Sequence, residues 1–268
     1  MYEVPVVLIL DFNGDGIVEI DDLLLIIESW GQDNSMADIG PAPWGDGIVD
    51  AADLEVLMSY WGKEVIDPTL VAHWPLDETE GMFAADSVGD NDAFIVGDAT
   101  WQPDGGQLGG ALQLDGVDDY VITSFVLNPQ EGPFSVSAWI KGGSPGKVII
   151  SQMDGIDSGE TWLGTDPFNG CLMTALVSPP IGRFIAQPLV SNHIVTDDVW
   201  HHIGFVWDGS YRTLYVDGLE VAKDANPFIS LKDSDGGLYI GVNKNLDTDT
   251  YFSGLIDDVR IYNRVVIP

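Results

Sequence analysis

An acidic stretch near the start of the chain, DFNGDGIVEIDD at residues 11–22, carries oxygen-bearing side chains at alternating positions. Carboxylates this close repel one another unless a cation lies between them. The spacing is typical of a loop around calcium, which takes about six to eight oxygen ligands, with a glycine at the sixth position for the sharp turn. The predicted ligands are the side chains of Asp11, Asn13, Asp15, Glu19 and Asp22 and the backbone carbonyl of Ile17.

A second copy of the pattern follows, because GDGIVEIDDLLLIIESWG aligns with GDGIVDAADLEVLMSYWG. Here Ala42 and Trp44 stand at the first and third loop positions, and neither side chain can bind a metal. An enlarged loop that begins at Asp38 would supply the missing first ligand. The predicted ligands of this loop are Asp38, Asp46, Asp50, Asp53 and the carbonyl of Ile48. The alternative is a degenerate copy that serves only helix packing.

An apolar stretch with helical periodicity follows each loop, so the sequence predicts two helices that pack on each other. Gly31 and Gly62 are expected to end them. Because so small a module has little core, calcium binding is expected to be part of its folding. The predicted contact stripes are Leu23, Ile26, Ile27 and Trp30 in the first helix and Leu54, Leu57, Met58 and Trp61 in the second.

These tandem loop–helix units, with aspartate rather than glutamate at the twelfth loop position, resemble dockerins, the calcium-folded modules of extracellular cellulosome-type assemblies. The resemblance covers about residues 9–62 and implies two bound calcium ions. It also implies a protein partner recognised through loop positions ten and eleven. Those positions hold Ile20 and Asp21 in one copy but two alanines in the other. A symmetric binding surface is therefore not expected, and the module could instead pack on its neighbour.

The texture of the sequence changes after residue 65, where short alternating apolar runs are separated by Gly, Asp, Asn and Pro. Such runs predict many short antiparallel strands in a sandwich or jelly roll, and YVDGLEV predicts a hairpin with Asp-Gly at its turn. The predicted fold class is therefore mostly β. An antiparallel β-sandwich at residues 66–268 follows a small helical, EF-hand-like calcium module at residues 1–65.

Five segments occur in the order seen in laminin G-like, concanavalin A-like jelly rolls: LVAHWPLDETEG, GALQLDGVDDYV, FSVSAWIK, VWHHIGFVWDGSYRTLYVDGLEV and SGLIDDVRIYNR. This resemblance covers about residues 69–266. It implies a third calcium ion near the rim, held by an early acidic turn with Asp86 and Asn91 and by Asp257 on the last strand. It also implies binding of sugars or proteins at the rim or concave face. The candidate ligand-binding residues are Trp162, Phe168, Asp154 and Asn169.

Composition and missing motifs narrow the function. The chain has 43 acidic and 10 basic residues, so nucleic acid and anionic membranes are poor partners. The lone Cys171 allows no intramolecular disulfide. The sequence contains no paired-carboxylate motif of jelly-roll glycosidases, no HExxH, no GxSxG and no phosphate loop. The four histidines are expected to be structural, and the chain is predicted not to be an enzyme.

The predicted function is that of a non-catalytic, extracellular calcium-binding module for carbohydrate binding or adhesion within a larger secreted or cell-surface system. One alternative is a structural assembly subunit that makes calcium-stabilised protein contacts or associates with itself. Another is an accessory domain of a polysaccharide-degrading enzyme. The start, MYEVPVVLIL, lacks a basic segment and is too short to span a bilayer, so no signal peptide is predicted in this chain.

Overall fold

The computed structural model of the 268-residue chain describes residues 10–12, 17–32, 37–41, 45–63, 67–153, 160–177, 187–225 and 231–268. The chain divides into two compact units, residues 1–68 and residues 69–268. Helices occur in the described part of the first unit and strands form the second. None of the helices described is long and apolar enough to cross a membrane.

The first unit contains two helices of equal length, α1 at Ile20–Glu28 and α2 at Ala51–Ser59. Each begins with a capping box, in which the side chains of the N-cap residue and of the third helical residue bond to each other's backbone N–H groups. After the helices, Gly31 has a φ of 76° and Gly62 a φ of 69°. Both lie in the left-handed region that glycine favours, which confirms the predicted stop signals.

Backbone hydrogen bonds connect the two copies of the loop–helix repeat to each other. The chain that leaves each helix bonds to the loop that precedes the other helix, which makes the arrangement reciprocal. The four N–H to O=C bonds run from Gly31 to Val49 (2.8 Å), Val49 to Gln32 (3.0 Å), Gly62 to Val18 (2.8 Å) and Val18 to Lys63 (3.2 Å). The internal repeat in the sequence is thus a repeat in the structure.

The core of this unit is small. Its buried apolar residues are Leu10, Val18, Ile26, Ala37, Ile39, Val49 and Leu57. The predicted helix stripes are partly wrong, since Ile27, Trp30, Met58 and Trp61 are 40–54% exposed. The buried line of α1 instead runs through Asp22, Ile26 and Ser29. Asp22 lies on the buried face of α1 because its carboxylate accepts N–H groups of the preceding loop.

The described strands of the second unit form two antiparallel sheets. Their bounds are β1 Leu70–Trp74, β2 Phe83–Ala84, β3 Ala93–Val96, β4 Thr100–Gln102, β5 Ala111–Asp115, β6 Tyr120–Phe125, β7 Phe134–Gly142, β8 Val148–Gln152, β9 Glu160–Thr165, β10 Cys171–Thr174, β11 Leu189–Ile194, β12 Trp200–Trp207, β13 Tyr211–Val216, β14 Leu219–Ala225, β15 Gly237–Ile240 and β16 Ser253–Tyr262. Sheet I has the order β14-β13-β12-β7-β16-β5-β4, with β1 also paired to β16. Sheet II has the order β11-β10-β9-β8-β15-β6-β3-β2.

The sheets pack face to face over one large apolar core. Phe134 of sheet I lies 5.1 Å from the ring of Trp162 in sheet II and 5.6 Å from Phe205 in its own sheet. All three side chains are at most 1% exposed. The mostly β antiparallel sandwich predicted from the alternating runs is confirmed. Strand β9, at Glu160–Thr165, is not among the segments that the sequence predicts to be strands.

Candidate functional site

The second acidic loop is closed by Asp38. Its carboxylate accepts the backbone N–H groups of Asp46 at 2.9 Å and Gly47 at 2.7 Å. The N–H of Ile48 bonds in turn to Oδ1 of Asp46 at 3.2 Å. The structure therefore brings Asp38 and Asp46 into one loop, as the enlarged-loop prediction requires.

The helix carboxylates show which residues of the two loops correspond. Oδ1 of Asp22 accepts the N–H of Phe12 at 2.6 Å, and Phe12 directly follows Asp11. Oδ1 of Asp53 accepts the N–H of Ile39 at 2.6 Å, and Ile39 directly follows Asp38. Asp38 thus holds in the second loop the place that Asp11 holds in the first. This equivalence agrees with the sequence-based prediction that an enlarged second loop begins at Asp38.

The donor set of the loops fits a hard cation. Asp22 and Asp53 are fully buried, and their second oxygens accept the N–H groups of Glu19 (2.8 Å) and Asp50 (2.6 Å). These are oxygen ligands of the kind that calcium prefers. Ile17 and Ile48, whose carbonyls are the predicted backbone ligands, are 41% and 53% exposed. Asn13 and Asp15 lie outside the described residues.

Asp257 is the most perturbed carboxyl group of the sandwich. Its Oδ2 accepts the N–H groups of Gln107 at 2.7 Å and Leu108 at 2.9 Å. Its Oδ1 is buried and has no hydrogen-bond partner among the described residues. Burial is the main cause that raises the pKa of Asp257 to about 7, and the charges of Asp258 and Asp77 add to it. A buried oxygen of this kind fits a bound cation or a proton.

The partners predicted for Asp257 are Asp86 and Asn91, which make hydrogen bonds of their own. The carboxylate of Asp86 accepts the N–H groups of His73 at 2.9 Å, Val88 at 3.2 Å and Asn91 at 3.1 Å, so it organises its own turn. The structure brings Asp86 and Asn91 together but gives neither of them a hydrogen bond with Asp257. The grouping of all three at one cation therefore stays a prediction.

Sequence reasoning missed Asp77. Its Oδ1 accepts the N–H of Gly110, which belongs to the same β4–β5 loop that contacts Asp257. No sequence spacing signals this contact, because it depends on the pairing of β1 with β16, which places Trp74 opposite Val259. The carboxylates of Asp77 and Asp257 thus accept backbone N–H groups of the same loop.

The backbone around this loop adopts rare conformations. The φ angles of Leu76 and Asp258 are 61° and 48°, both left-handed, and the pairing of β16 with β7 shifts register between Asp257 and Arg260. Such a bulge re-aims neighbouring side chains. Asp257 and Asp258 are both buried, at 0% and 5% exposure, like every other residue of β16 from Ile256 to Tyr262. Rare backbone conformations of this kind cluster at functional sites.

Asp258 anchors a polar chain on the other side of β16. His73 Nε2 lies 2.8 Å from Oδ1 of Asp258, and the hydroxyl of Ser87 lies 2.7 Å from His73 Nδ1. Burial alone would raise the pKa of Asp258, but the hydrogen bond from His73 and the charge of Arg260 hold that pKa below its ordinary value. The order Ser–His–Asp is that of serine hydrolases. However, the N–H of Val88, beside Ser87, is already bonded to Asp86 and is not available as an oxyanion donor.

The four candidate ligand-binding residues separate. Trp162 is fully buried against Phe134, so its assignment to a sugar-stacking surface is corrected to the core. Phe168 is 91% exposed at the β9–β10 turn. Beside it, Oδ1 of Asn169 accepts the N–H of Cys171 at 3.0 Å. Asp154 lies outside the described residues.

A row of side chains crosses the outer face of sheet II. Phe83 pairs with Phe94, Phe94 with Ile122, and Ile122 with Tyr239. The neighbouring residues Val121 and Leu238 lie in the core, so these four, here called the aromatic row, point outward. Phe83 is 62% and Phe94 38% exposed, and their rings meet edge to face at 5.3 Å. Sequence reasoning missed this row, because β2 and β3 were not predicted.

Tyrosines wall one end of the aromatic row. The ring of Tyr120 lies 5.6 Å from that of Tyr239 and 6.2 Å from that of Tyr251, both edge to face. Tyr239 and Tyr251 are each 7% exposed. The row therefore runs from two open rings at the sheet edge to a closed, packed end. A ligand would meet Phe83 and Phe94 first.

A protein-family comparison decides the relationship. The family model described as the concanavalin A-like lectin/glucanases superfamily matches residues 115–268. The chain belongs to this superfamily. The matched residues include β6, β7, β12 and β16, whose sequences carry the laminin G-like resemblance. A search of curated proteins found no match to the chain.

Solved structures share the superfamily fold at low sequence identity. Domain 4 of the extracellular arabinanase AbnA from Geobacillus stearothermophilus, solved with arabinotriose, is 20% identical with a TM-score of 0.56, covering 73% of this chain and 93% of that domain. The binding domain of Paraclostridial Mosquitocidal Protein 1 is 15% identical with a TM-score of 0.57, covering 74% and 49%. The binding domain of botulinum neurotoxin DC, solved with SialylT, is 12% identical with a TM-score of 0.56, covering 75% and 49%. The match spans about half the length of each toxin domain, and such identities show a shared fold.

Proposed function

We propose that this protein is a non-catalytic, extracellular carbohydrate-binding module. The observation that carries the proposal is the aromatic row, with two open phenylalanine rings on the outer face of sheet II. Aromatic faces carry negative charge density, and the C–H groups on one face of a sugar ring are weakly positive and apolar. Stacking of sugar rings on Phe83 and Phe94 therefore suits the chemistry of this surface.

The superfamily and its solved members support this proposal. One neighbour is an arabinanase domain in complex with arabinotriose, and another is a toxin binding domain in complex with SialylT. Each of these two structures is a domain of a larger protein, and each was solved in complex with the ligand named for it. An accessory role beside an enzyme or toxin domain is consistent with them. The secreted nature of such proteins favours an extracellular location.

Calcium is the proposed cofactor. In the first unit, two ions would be held by the dockerin-like loops, with Asp11 and Asp38 as equivalent first ligands. In the sandwich, the orphaned Oδ1 of Asp257 fits a third. When bound, calcium neutralises the clustered carboxylates and so makes the loops stable. It would act on the sugar site indirectly, by fixing the fold.

A hydrolytic role is not proposed. The chain Ser87–His73–Asp258 has suitable hydrogen bonds, but the adjacent N–H that would stabilise an oxyanion serves Asp86 instead. Phenyl ester hydrolysis by the protein is expected to equal that of the Ser87→Ala variant. A rate that falls in that variant would reopen the question of catalysis.

The test is a panel of polysaccharides and arrayed glycans, probed with the full chain in calcium and again in chelator. Phe83→Ser and Phe94→Ser are expected to abolish a hit, because each removes one open ring of the row. The matched control is Phe168→Ser, which removes a more exposed ring at the β9–β10 turn. Loss of binding in the control alone would move the site to that turn. No hit with folded protein would contradict the proposal.

A second candidate function is protein assembly through α1. Ile20, Leu24 and Ile27 follow one another along one helix face and are 47–54% exposed. The dockerin resemblance makes a protein partner or a second copy the expected occupant. Light scattering with and without calcium tests self-association. A mass that is unchanged by calcium and by concentration would remove that form of the proposal.

A further inference from the structure

We infer that the protein has a transition-metal site, of the kind that zinc fits, formed by His193, His201 and Asp217 at one edge of the sandwich. One ligand atom from each of these side chains lies within 4.8 Å of the other two. The site is separate from the acidic loops and from Asp257. It also differs from them in chemistry, because imidazole nitrogen favours zinc, copper or nickel, whereas carboxylate and carbonyl oxygens favour calcium.

The fold delivers the three ligands from both sheets. His193 lies near the end of β11, an edge strand of sheet II, and shares the inward alternation of the buried residues Leu189 and Ser191. His201 lies near the start of β12 in sheet I and alternates inward with Ile203. The two rings meet edge to face at 5.9 Å between centroids. Two histidines that belong to different sheets thus meet between the sheets.

The third ligand is held by a tight turn. Asp217 is the first turn residue of the β13–β14 hairpin and has a φ of 52°. Its Oδ1 accepts the N–H of His202 at 2.9 Å, and its own N–H bonds to the carbonyl of that residue at 2.8 Å. These bonds fix the carboxylate, whose Oδ2 lies 2.8 Å from Nδ1 of His201. The position of the Asp217 carboxylate is therefore set by hydrogen bonds to the backbone of His202.

His201 also has the outer partner that a metal-binding histidine usually has. Its Nε2 lies 3.1 Å from Oδ1 of Asp197. Ligating histidines commonly donate their other ring N–H to a carboxylate, which orients the ring and makes the ligating nitrogen more basic. With Nδ1 toward the metal beside Asp217, Nε2–H would donate to Asp197. The side chain of His201 is 9% exposed, so this orientation is fixed by packing.

The spacing requires only small movements. Zinc–nitrogen and zinc–oxygen distances of about 2.0–2.1 Å place tetrahedral ligands roughly 3.4 Å apart. Because the ligand atoms lie within 4.8 Å of one another, rotation of the partly buried His193 side chain is the main movement needed to close the set. Three protein ligands leave a fourth position for water. Bound metal would join the edge of sheet II to sheet I.

The test uses the full chain, stripped with chelator and returned to calcium in large excess so that oxygen-only sites are filled. Cobalt(II) is added and followed by visible absorption, and zinc then displaces it. The expected result is the intense spectrum of four-coordinate cobalt at one equivalent, removed by zinc. His193→Gln and Asp217→Asn should each weaken cobalt binding at least tenfold. Asparagine keeps the left-handed turn at 217, which protects folding.

The matched control is His202→Gln, which changes the next residue but on the opposite face, where its ring stacks on Trp139 at 4.9 Å. It should bind cobalt as the unaltered chain does. The proposal is overturned if the unaltered chain gives no cobalt spectrum in calcium. It is equally overturned if folded His193→Gln and Asp217→Asn retain full affinity. Either result would leave His201 as a histidine that is bonded between two carboxylates and binds no metal.

Discussion

The two units of this protein differ in the size of the apolar core that surrounds their buried carboxylates. The described part of the sandwich has a continuous cluster of 33 buried apolar residues, whereas that of the N-terminal unit has seven, arranged around the buried carboxylates of Asp22 and Asp53. A large core can offset the conformational entropy of folding by itself, but a small one cannot. We therefore expect the N-terminal unit to depend on its polar hydrogen bonds and on a cation that neutralises its clustered carboxylates.

The same contrast appears in where the carboxylates act. In the N-terminal unit, the helix carboxylates of Asp22 and Asp53 accept loop N–H groups, so they hold the loops against the helices. In the sandwich, Asp257 and Asp258 are placed by a strand bulge within a fold that other residues already determine. Loss of a buried carboxylate should thus unfold the first unit, whereas in the second it should change the stability without unfolding the sandwich. The predictions below test this difference, beginning with the largest effect.

Asp53→Ala should abolish the folding of the N-terminal unit. The change leaves the N–H groups of Ile39, Gly40 and Asp50 without their acceptor, at a cost of about 1–3 kcal/mol for each buried donor. Calorimetry in calcium should show loss of one transition with the sandwich transition retained. Chelator should have the same effect on the unaltered chain.

The control is Glu55→Ala, which removes an exposed carboxylate from the same helix. It should leave both transitions in place. If Asp53→Ala and Glu55→Ala melt alike in calcium, the buried carboxylate is not what holds this unit together.

Arg212→Met should destabilise the sandwich by roughly 3 kcal/mol. The guanidinium group is 5% exposed, bonds to both oxygens of Asp224, and donates to the carbonyls of Leu176 at 2.9 Å and Gln187 at 3.0 Å. Removing the guanidinium group leaves the carbonyl of Leu176 without its buried donor and the 38% exposed carboxylate of Asp224 without its ion pair. Chemical denaturation measures the loss, which should be confined to the sandwich transition.

An exposed pair supplies the comparison for that variant. Lys223 and Glu220 lie 3.8 Å apart with both side chains at least 40% exposed, so Lys223→Met should cost less than about 1 kcal/mol. Equal losses in Arg212→Met and Lys223→Met would contradict the assigned role of the buried guanidinium.

Asp257→Asn should make the sandwich more stable at pH 8 in chelator. The folded pKa of about 7 lies above the ordinary 3.8, so the folded state binds the proton more tightly. Ionisation of the buried Asp257 carboxyl costs the folded state no stability below pH 3.8. The cost grows as the pH rises from 3.8 toward 7, and above pH 7 it reaches up to about 4 kcal/mol. The asparagine oxygen can still accept the N–H groups of Gln107 and Leu108. Melting curves at pH 5 and pH 8 measure the difference.

The gap in stability between Asp257→Asn and the unaltered chain should narrow or reverse when calcium is added at pH 8. A cation at Oδ1 would offset the buried charge of the unaltered chain. A gap that is the same at pH 5 and pH 8 would show that Asp257 stays charged at little cost. A gap that calcium leaves unchanged would remove Asp257 from the proposed ligands.

Local sequence patterns predicted the parts of the fold that local physics decides. Strands β12 and β16 follow from apolar alternation, and the β13–β14 hairpin follows from Asp217-Gly218, both of which have positive φ. Strand β9 could not be found this way. Its ETWLGT becomes a strand because β8 and β10 pair with it on both sides.

The sites show the same limit more strongly. The loop ligands were predicted because they lie within a few residues of one another. The contact of Asp77 and Asp257 with one loop depends on the pairing of β1 with β16, the first and last strands. The meeting of His193 with His201 depends on how the sheets stack. Neither arrangement has a spacing signal in the sequence, because it arises from tertiary packing.

Leu24→Ser in α1 should change the stability of the N-terminal unit by less than about 0.5 kcal/mol, since this side chain is 47% exposed. Ile26→Ser, two residues away and fully buried, should cost several times more. Denaturation in calcium compares the two. If Leu24→Ser is instead the more costly change, the open face of α1 is covered in solution, and the N-terminal unit is stabilised by a contact beyond its own small core.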